Sequence, residues 1–271
     1  MFKKNKEIIK LSKEQQKCLA FGSIIFEENG ETIETLKLRG SEKRYKKMLR
    51  DWWEIEDHNE ALKVVTYLSN AQGHTPFTND IYNEFVKKDK PLPFTPKGLQ
   101  EITGLENAYL SSAKRILSSV GILDSEMTPK FMEEVMMDEQ FKQETIPLEL
   151  FERLTTGMEC FKIASDILIR LGYKEQELKQ INTLAAWDYG RAVFVARDCY
   201  HVGYLSEEEA WQYITLAVLN ATNTYSNWRE YIAAYILGRA IGFGSDCTDH
   251  YKTLDYLLNN NESPLNTNSF K

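Results

Sequence analysis

The chain has 271 residues, 42% hydrophobic and 27% charged, with 40 Asp and Glu against 33 Lys and Arg for a formal net charge of -7. Those fractions belong to soluble globular proteins and exclude the disordered and collagen-like classes, and a chain this long buries enough surface to fold without disulfides or a structural metal. No apolar run approaches the ~20 residues of a membrane-spanning helix, and the lysine-bearing start lacks an apolar h-region, so a cytoplasmic protein without membrane contact is expected.

Four cysteines, Cys18, Cys160, Cys199 and Cys247, lie far apart with no CxxC pair, so no disulfide is expected. Charge is uneven. Residues 1–50 hold 13 Lys and Arg against 7 Asp and Glu, which leaves the rest of the chain strongly acidic. An acidic body gains nothing from counterion release and disfavours nucleic acid; a protein partner, basic by charge complementarity, suits it better.

In chain order, residues 1–47 read as a basic, partly helical N-terminal extension. From Asn59 to Asn70 the residues Leu62, Val65 and Leu68, flanked by Ala61 and Val64, form one apolar stripe at helical spacing, with Asp57 or Asn59 as the cap. Prolines at 91, 93 and 96 punctuate the stretch at about 87–123. Within it, residues 96–123 have the outline of a helix-turn-helix whose second helix offers Asn107, Ser111, Ser112, Lys114 and Arg115; generic helical hairpins share that outline.

Further helical stripes run through 110–120, 158–171, 184–202, 207–219 and 228–241, and strand alternation is nowhere sustained. The sharpest boundary is Ser206-Glu-Glu-Glu209, a capping box in which the Ser oxygen accepts the N3 amide and the Glu reaches back to the Ser amide. It follows Gly203 closely, so two helices should meet there through a short turn and pack antiparallel. The segment 259–271 reads as a polar, frayed tail. The expected fold is all-α, a compact multi-helix domain with short helix-helix connections.

The five tryptophans, Trp52, Trp53, Trp187, Trp211 and Trp228, are each expected to anchor core. Helical geometry places Asp188, Arg191 and Asp198 along one side of the helix that Trp187 begins, and Trp228, Tyr231, Tyr235 and Arg239 along another. Two Gly-Arg steps, at Gly190 and Gly238, remove a β-carbon beside each arginine and would let helices approach closely. Two readings stand. Asp188, Arg191 and Arg239 form an inter-helix ion network, the commoner use of such groups, or Asp188, Arg191, Tyr235 and Arg239 line a pocket for an anionic ligand.

These residues resemble the bacterial DUF1266 family of YbeU/YbeR-like proteins. The resemblance is carried by Trp187-Asp-x-x-Arg191, by Gly203 to Trp211 with its Ser-acidic-Glu-Ala-Trp start, by Trp228-x-Glu-Tyr231 and by Tyr235-x-x-Gly-Arg239. In the front half, Trp53-Glu-Ile55, Gly73-His74 and Phe77 are similar to that family's Trp-Gly-Ile and Gly-His-Arg elements, with Glu54 and Thr75 departing from them. The resemblance implies a mostly α-helical bacterial cytoplasmic protein with its family domain over 48–258, and it transfers no reaction.

No chemistry is spelled out by motif. Asp246, Asp249 and His250 supply at most one partial metal set, and Cys199 with His201 another; neither reaches three converging ligands, and no zinc-protease His-Glu-x-x-His is present. His74 follows a turn glycine, where it caps carbonyls or serves as an acid or base. Gly-rich phosphate loops are absent, so no cofactor is expected. The leading expectation is a non-enzymatic protein-interaction module, with toxin neutralisation of the immunity type as its most concrete form. The alternative is an enzyme or sensor using the Asp188, Arg191, Tyr235 and Arg239 pocket.

Overall fold

The computed structural model describes residues 10–87 and 148–271. The proline-rich connection, the stripe at 110–120 and the helix-turn-helix outline lie outside the described residues. Among the described residues every regular element is a helix. In chain order these are α1 (Lys13–Ala20), α2 (Ser23–Glu28), α3 (Glu42–Trp53), α4 (His58–Ser69), α5 (Thr75–Tyr82), α6 (Leu148–Arg170), α7 (Glu175–Lys179), α8 (Ala186–Val202), α9 (Glu207–Thr224), α10 (Trp228–Phe243) and α11 (Tyr251–Asn259). A π-helical turn, Asn83–Lys87, extends α5, and a 3-10 turn, Thr248–His250, precedes α11.

Local chemistry sets several boundaries. Asp57 caps α4 by accepting the Glu60 amide at 2.9 Å. Ser206 and Glu209 form the reciprocal capping box at the start of α9, with contacts of 3.2 and 2.8 Å. Gly203 ends α8 in the left-handed region at φ 82°, which a glycine adopts without steric cost.

The chain divides into two compact units. One takes the described residues up to Thr75 with Asn182–Tyr235 and Asp249–Lys271; the other takes the described residues between Pro76 and Ile181 with Ile236–Thr248. In the first, α8 is the central element and packs against α2, α3, α4 and α9. It is buried on all sides from Ala186 to Cys199, so it has no solvent face on which to place its charges. In the second, α6 and the end of α10 come close. A β-carbon at Gly157 would lie 2.7 Å from the Ile241 carbonyl oxygen. The Tyr82 hydroxyl donates to the Leu178 carbonyl there.

Three expectations change. The N-terminal segment is integrated into the first unit rather than appended to it. Leu19, Phe21, Ile24 and Phe26 are buried, α2 packs on α8 and α11, and the Tyr231 hydroxyl donates to the Phe21 carbonyl at 2.8 Å. The C-terminal tail is docked rather than frayed. Its polar side chains turn inward: Ser263 Oγ donates to the Leu257 carbonyl, and Asn266 Nδ2 to those of Leu258 and Asn260, which satisfies carbonyls that α11 leaves open. That folds the chain back and buries Leu265 and Phe270. Finally, Trp52 is 72% exposed. Neighbouring helix positions point about 100° apart, and Trp53 takes the inward one.

Candidate functional site

The first turn of α8 carries the densest polar arrangement. Tyr225 prepares it by accepting the Ala186 amide and donating to the Thr183 carbonyl, both at 2.9 Å, in place of a side-chain cap at Ala185. Asp188, fully buried, then accepts from the backbone of a distant segment: His74 N–H at 3.2 Å, Thr75 N–H at 3.1 Å and the Thr75 hydroxyl at 2.6 Å. The Arg191 guanidinium donates to the same carboxylate. Four donors thus converge on two oxygens, which compensates a charge that burial alone would make prohibitive.

The glycine at 73 makes this approach feasible, because a β-carbon there would sit 2.5 Å from Asp188 Oδ1. Around the pair lie three aromatic groups. Arg191 stacks 3.8 Å from the centre of the Trp187 ring and 5.7 Å from that of Trp53, and the His74 ring lies 4.6 Å from Trp187. The His74 backbone thus serves Asp188 while its ring packs on Trp187.

The other two proposed site residues lie one turn apart on α10. Tyr235, also buried, packs on Gly190, where a β-carbon would lie 2.6 Å from Tyr235 Cε2. Arg239 belongs to the other unit, with its guanidinium 5.5 Å from the Phe243 ring and beside the Cys247 thiol. Burial pushes that thiol up to about 12, and Arg239 pulls it the other way. Among the tryptophans proposed as anchors, Trp187 is fully buried and Trp53 is half-buried against Arg191. Trp211 is half-buried, and its indole N–H is buried without an acceptor among the described residues. Trp228 is half-buried against Phe21 and Phe270, with its indole donating to the Asn268 carbonyl at 2.8 Å.

A second polar cluster, at the far end of α8, is absent from the sequence reading. Asp198 lies ten residues beyond Asp188, roughly 15 Å along the axis, and belongs to this cluster instead. Arg197 donates to the carbonyls of Leu36, Thr32 and Thr35 at 3.1, 2.7 and 2.6 Å and stacks 4.5 Å from the Phe26 ring. Glu31 accepts the Tyr45 hydroxyl at 2.6 Å and the Arg39 amide at 3.1 Å. His201 accepts the Leu38 amide on Nδ1 and donates from Nε2 to the Gly40 carbonyl, which sets its neutral tautomer. Burial holds its pKa below the ordinary value.

Together these side chains clasp the irregular segment 31–40 onto α8. Asp198 makes no hydrogen bond among the described residues, and burial pushes its carboxyl well above the usual range. No alternation or spacing in the segment 31–40 announces this clasp, because its acceptors are backbone carbonyls that every residue carries.

Burial raises the pKa of all four cysteine thiols, which disfavours the thiolate that would attack. Among the described residues no group of three or more His, Cys, Asp or Glu could hold a metal ion. His250 instead lies 2.8 Å from Glu28, and Asp246 accepts the Thr248 amide at 2.9 Å. No helix among the described residues is long and apolar enough to cross a membrane.

Fold and site together define an all-α protein organised on a buried, internally paired charged helix. The chain belongs to the DUF1266 family, a family of proteins of unknown function, which it matches over residues 48–270. It is 43% identical over 56 residues to the uncharacterized protein YbeR of Escherichia coli (strain K12), covering 21% of this chain and 24% of that protein. It is 34% identical over 67 residues to the uncharacterized protein YbeU of the same organism, covering 25% of this chain and 28% of that protein. The matched stretches thus span about a quarter of each curated relative. No solved structure matches the chain. The Trp53, Gly73-His74 and Trp187-Asp-x-x-Arg191 segments that carry the resemblance meet around the Asp188 carboxylate.

Proposed function

We propose that the chain is a non-enzymatic protein-interaction module whose acidic surface receives a basic protein partner, with neutralisation of a bacterial toxin as the most concrete form of that role. The observation that carries this reading is the state of Asp188 and Arg191. Both are buried and satisfy each other, so the charges best suited to bind a substrate are already committed inside the fold. What remains for recognition is surface. The starts of α4 and α9 lie side by side, joined by His58 Nε2 and Glu209 Oε1 at 2.8 Å. Glu54, Glu56, Asp57, Glu60, Glu207 and Glu208 are exposed around that junction. A field of this sign steers a basic partner and sets orientation more than affinity.

The competing reading, an anionic small molecule held by Asp188, Arg191, Tyr235 and Arg239, has less support. Asp188, Arg191 and Tyr235 are buried, and Asp188 and Arg191 are already paired with each other. A test is affinity capture from the native host, with the wild-type chain and a triple variant, Glu54→Gln, Glu207→Gln and Glu208→Gln, that keeps the fold by circular dichroism. The expected result is one basic protein retained by the wild type and lost by the variant, with growth arrest by that protein relieved on co-expression. Equal retention by both chains, or capture of no basic protein, would overturn the reading.

A further inference from the structure

The basic front end of the sequence is not absorbed by the acidic-surface reading. On α3 the residues Lys43, Lys46, Lys47 and Arg50 fall at spacings of three, four and seven, which is one face of a helix. That face is exposed, while Tyr45 and Leu49 on the other side are buried. Together with Glu42, Glu56 and Tyr204 the four cations line a hollow of about 540 Å³. Tyr204, from the turn between α8 and α9, forms one wall, and the Lys46 ammonium lies 5.5 Å from its ring centre.

The lysines make no ion pair among the described residues. Arg50 shares its charge with Asp51 at 2.9 Å, and lysines elsewhere on the surface pair with acids, as Lys179 does with Glu175 at 2.7 Å. Among the described residues Lys43, Lys46 and Lys47 have no carboxylate within ion-pair distance. Three like charges on one helical face repel one another, and none of them is held in a direct ion pair with a described carboxylate.

We infer that this hollow is a binding site for a compact small molecule bearing two or more phosphates. Its volume lies in the range of small-ligand sites, roughly 300–1,000 Å³. Its lining is cationic, and lysine ammonium groups serve phosphate as point charges without demanding one orientation. Length is limited by sign. Glu42 and Glu56 share the hollow with the lysines, and Glu54, Asp57 and Glu60 follow on the exposed surface, so a long polyanion leaving the site would run onto carboxylates. A lipid surface is disfavoured because Trp52, the exposed apolar side chain of α3, projects about 180° from the centre of the lysine stripe.

Isothermal titration with inorganic triphosphate and with ADP tests the site on the full chain. Lys46→Ala with Lys47→Ala is the test variant, and Lys252→Ala, an exposed lysine of α11, is the control. Saturable binding of triphosphate is expected, weakened by added salt, reduced roughly tenfold or more in the double variant and unchanged in the control. All three lysines are exposed, so the variants should fold as the wild type does, which circular dichroism checks. Absence of triphosphate binding at low salt, or equal binding by wild type and double variant, overturns the assignment. Tighter binding of a single-stranded oligonucleotide, a poly-glutamate peptide or anionic vesicles than of triphosphate overturns the compact-ligand class.

Discussion

Asp188 and Thr75 stand 113 residues apart in the chain, yet the Thr75 hydroxyl and amide both donate to the same Asp188 oxygen, at 2.6 and 3.1 Å. This contact ties the segment 73–75 to the first turn of the central helix and leaves the carboxylate's other oxygen to Arg191 and the His74 amide. Removing the carboxylate strands a buried guanidinium. Asp188→Ala should therefore cost roughly 3–5 kcal/mol of stability. Gly73→Ala should cost about 1–3 kcal/mol, because its new β-carbon would meet Asp188 Oδ1 at 2.5 Å. In the Asp188→Ala background most of the Gly73→Ala penalty should vanish, a coupling that a double-mutant cycle measures by urea unfolding. All five tryptophans lie in the unit that contains Asp188, so indole fluorescence reports on it selectively. Additive penalties would refute the contact as the cause.

Asp198 gives the opposite sign. Its carboxyl is buried without a hydrogen bond among the described residues and its pKa is raised, chiefly by desolvation, with Arg197 pulling it down and Glu31 pushing it up. Above the unfolded pKa of about 4 the unfolded chain releases this proton before the folded one does, so stability attributable to Asp198 falls as pH rises until the folded pKa is passed. Asp198→Asn removes that dependence. The variant should equal the wild type near pH 4 and become progressively more stable than it toward pH 8, as read from urea midpoints. A wild type that gains on the variant as pH rises would mean that the carboxylate is stabilised by a partner.

Gly190 gives the Tyr235 ring its seat on α8. A β-carbon there would lie 2.6 Å from Tyr235 Cε2, so Gly190→Ala should destabilise by about 1–3 kcal/mol despite alanine's better helix propensity. Tyr235→Leu opens space beside residue 190 and should restore part of that loss in the double variant, whatever it costs alone. A stabilising Gly190→Ala would show that propensity outweighs the clash.

Much of the frame is local chemistry and was readable as such. The α4 and α9 starts follow from Asp57 and from the Ser206 and Glu209 pair, whose acceptors and donors sit within three residues. The Asp188 and Arg191 pair is legible for the same reason, lying at i and i+3 on one helix. Its other partners are not, since nothing near Thr75 signals a carboxylate 113 residues on. The Arg197 clasp is still less legible: a guanidinium bound by three loop carbonyls leaves no side-chain signature. Trp52 was legible and misread, because two adjacent helical tryptophans cannot both face one core.

The C-terminal tail yields the last prediction. Phe270 is buried, with its ring 5.3 Å from Phe21 and 4.9 Å from Trp228, which ties the end of the chain to the first helices and to α10. The Trp228 indole donates to the Asn268 carbonyl and the Asn268 side-chain amide to the Pro264 carbonyl, both at 2.8 Å, which holds the tail there. Such aromatic contacts add to area burial, and Phe→Ala in a packed site costs roughly 3–5 kcal/mol. Phe270→Ala should therefore lower the urea midpoint and expose Trp228, shifting its emission to the red. Phe270→Leu keeps most of the apolar volume and should lose less. A frayed tail would make both substitutions silent in stability and in fluorescence, and that outcome would remove the tail from the core.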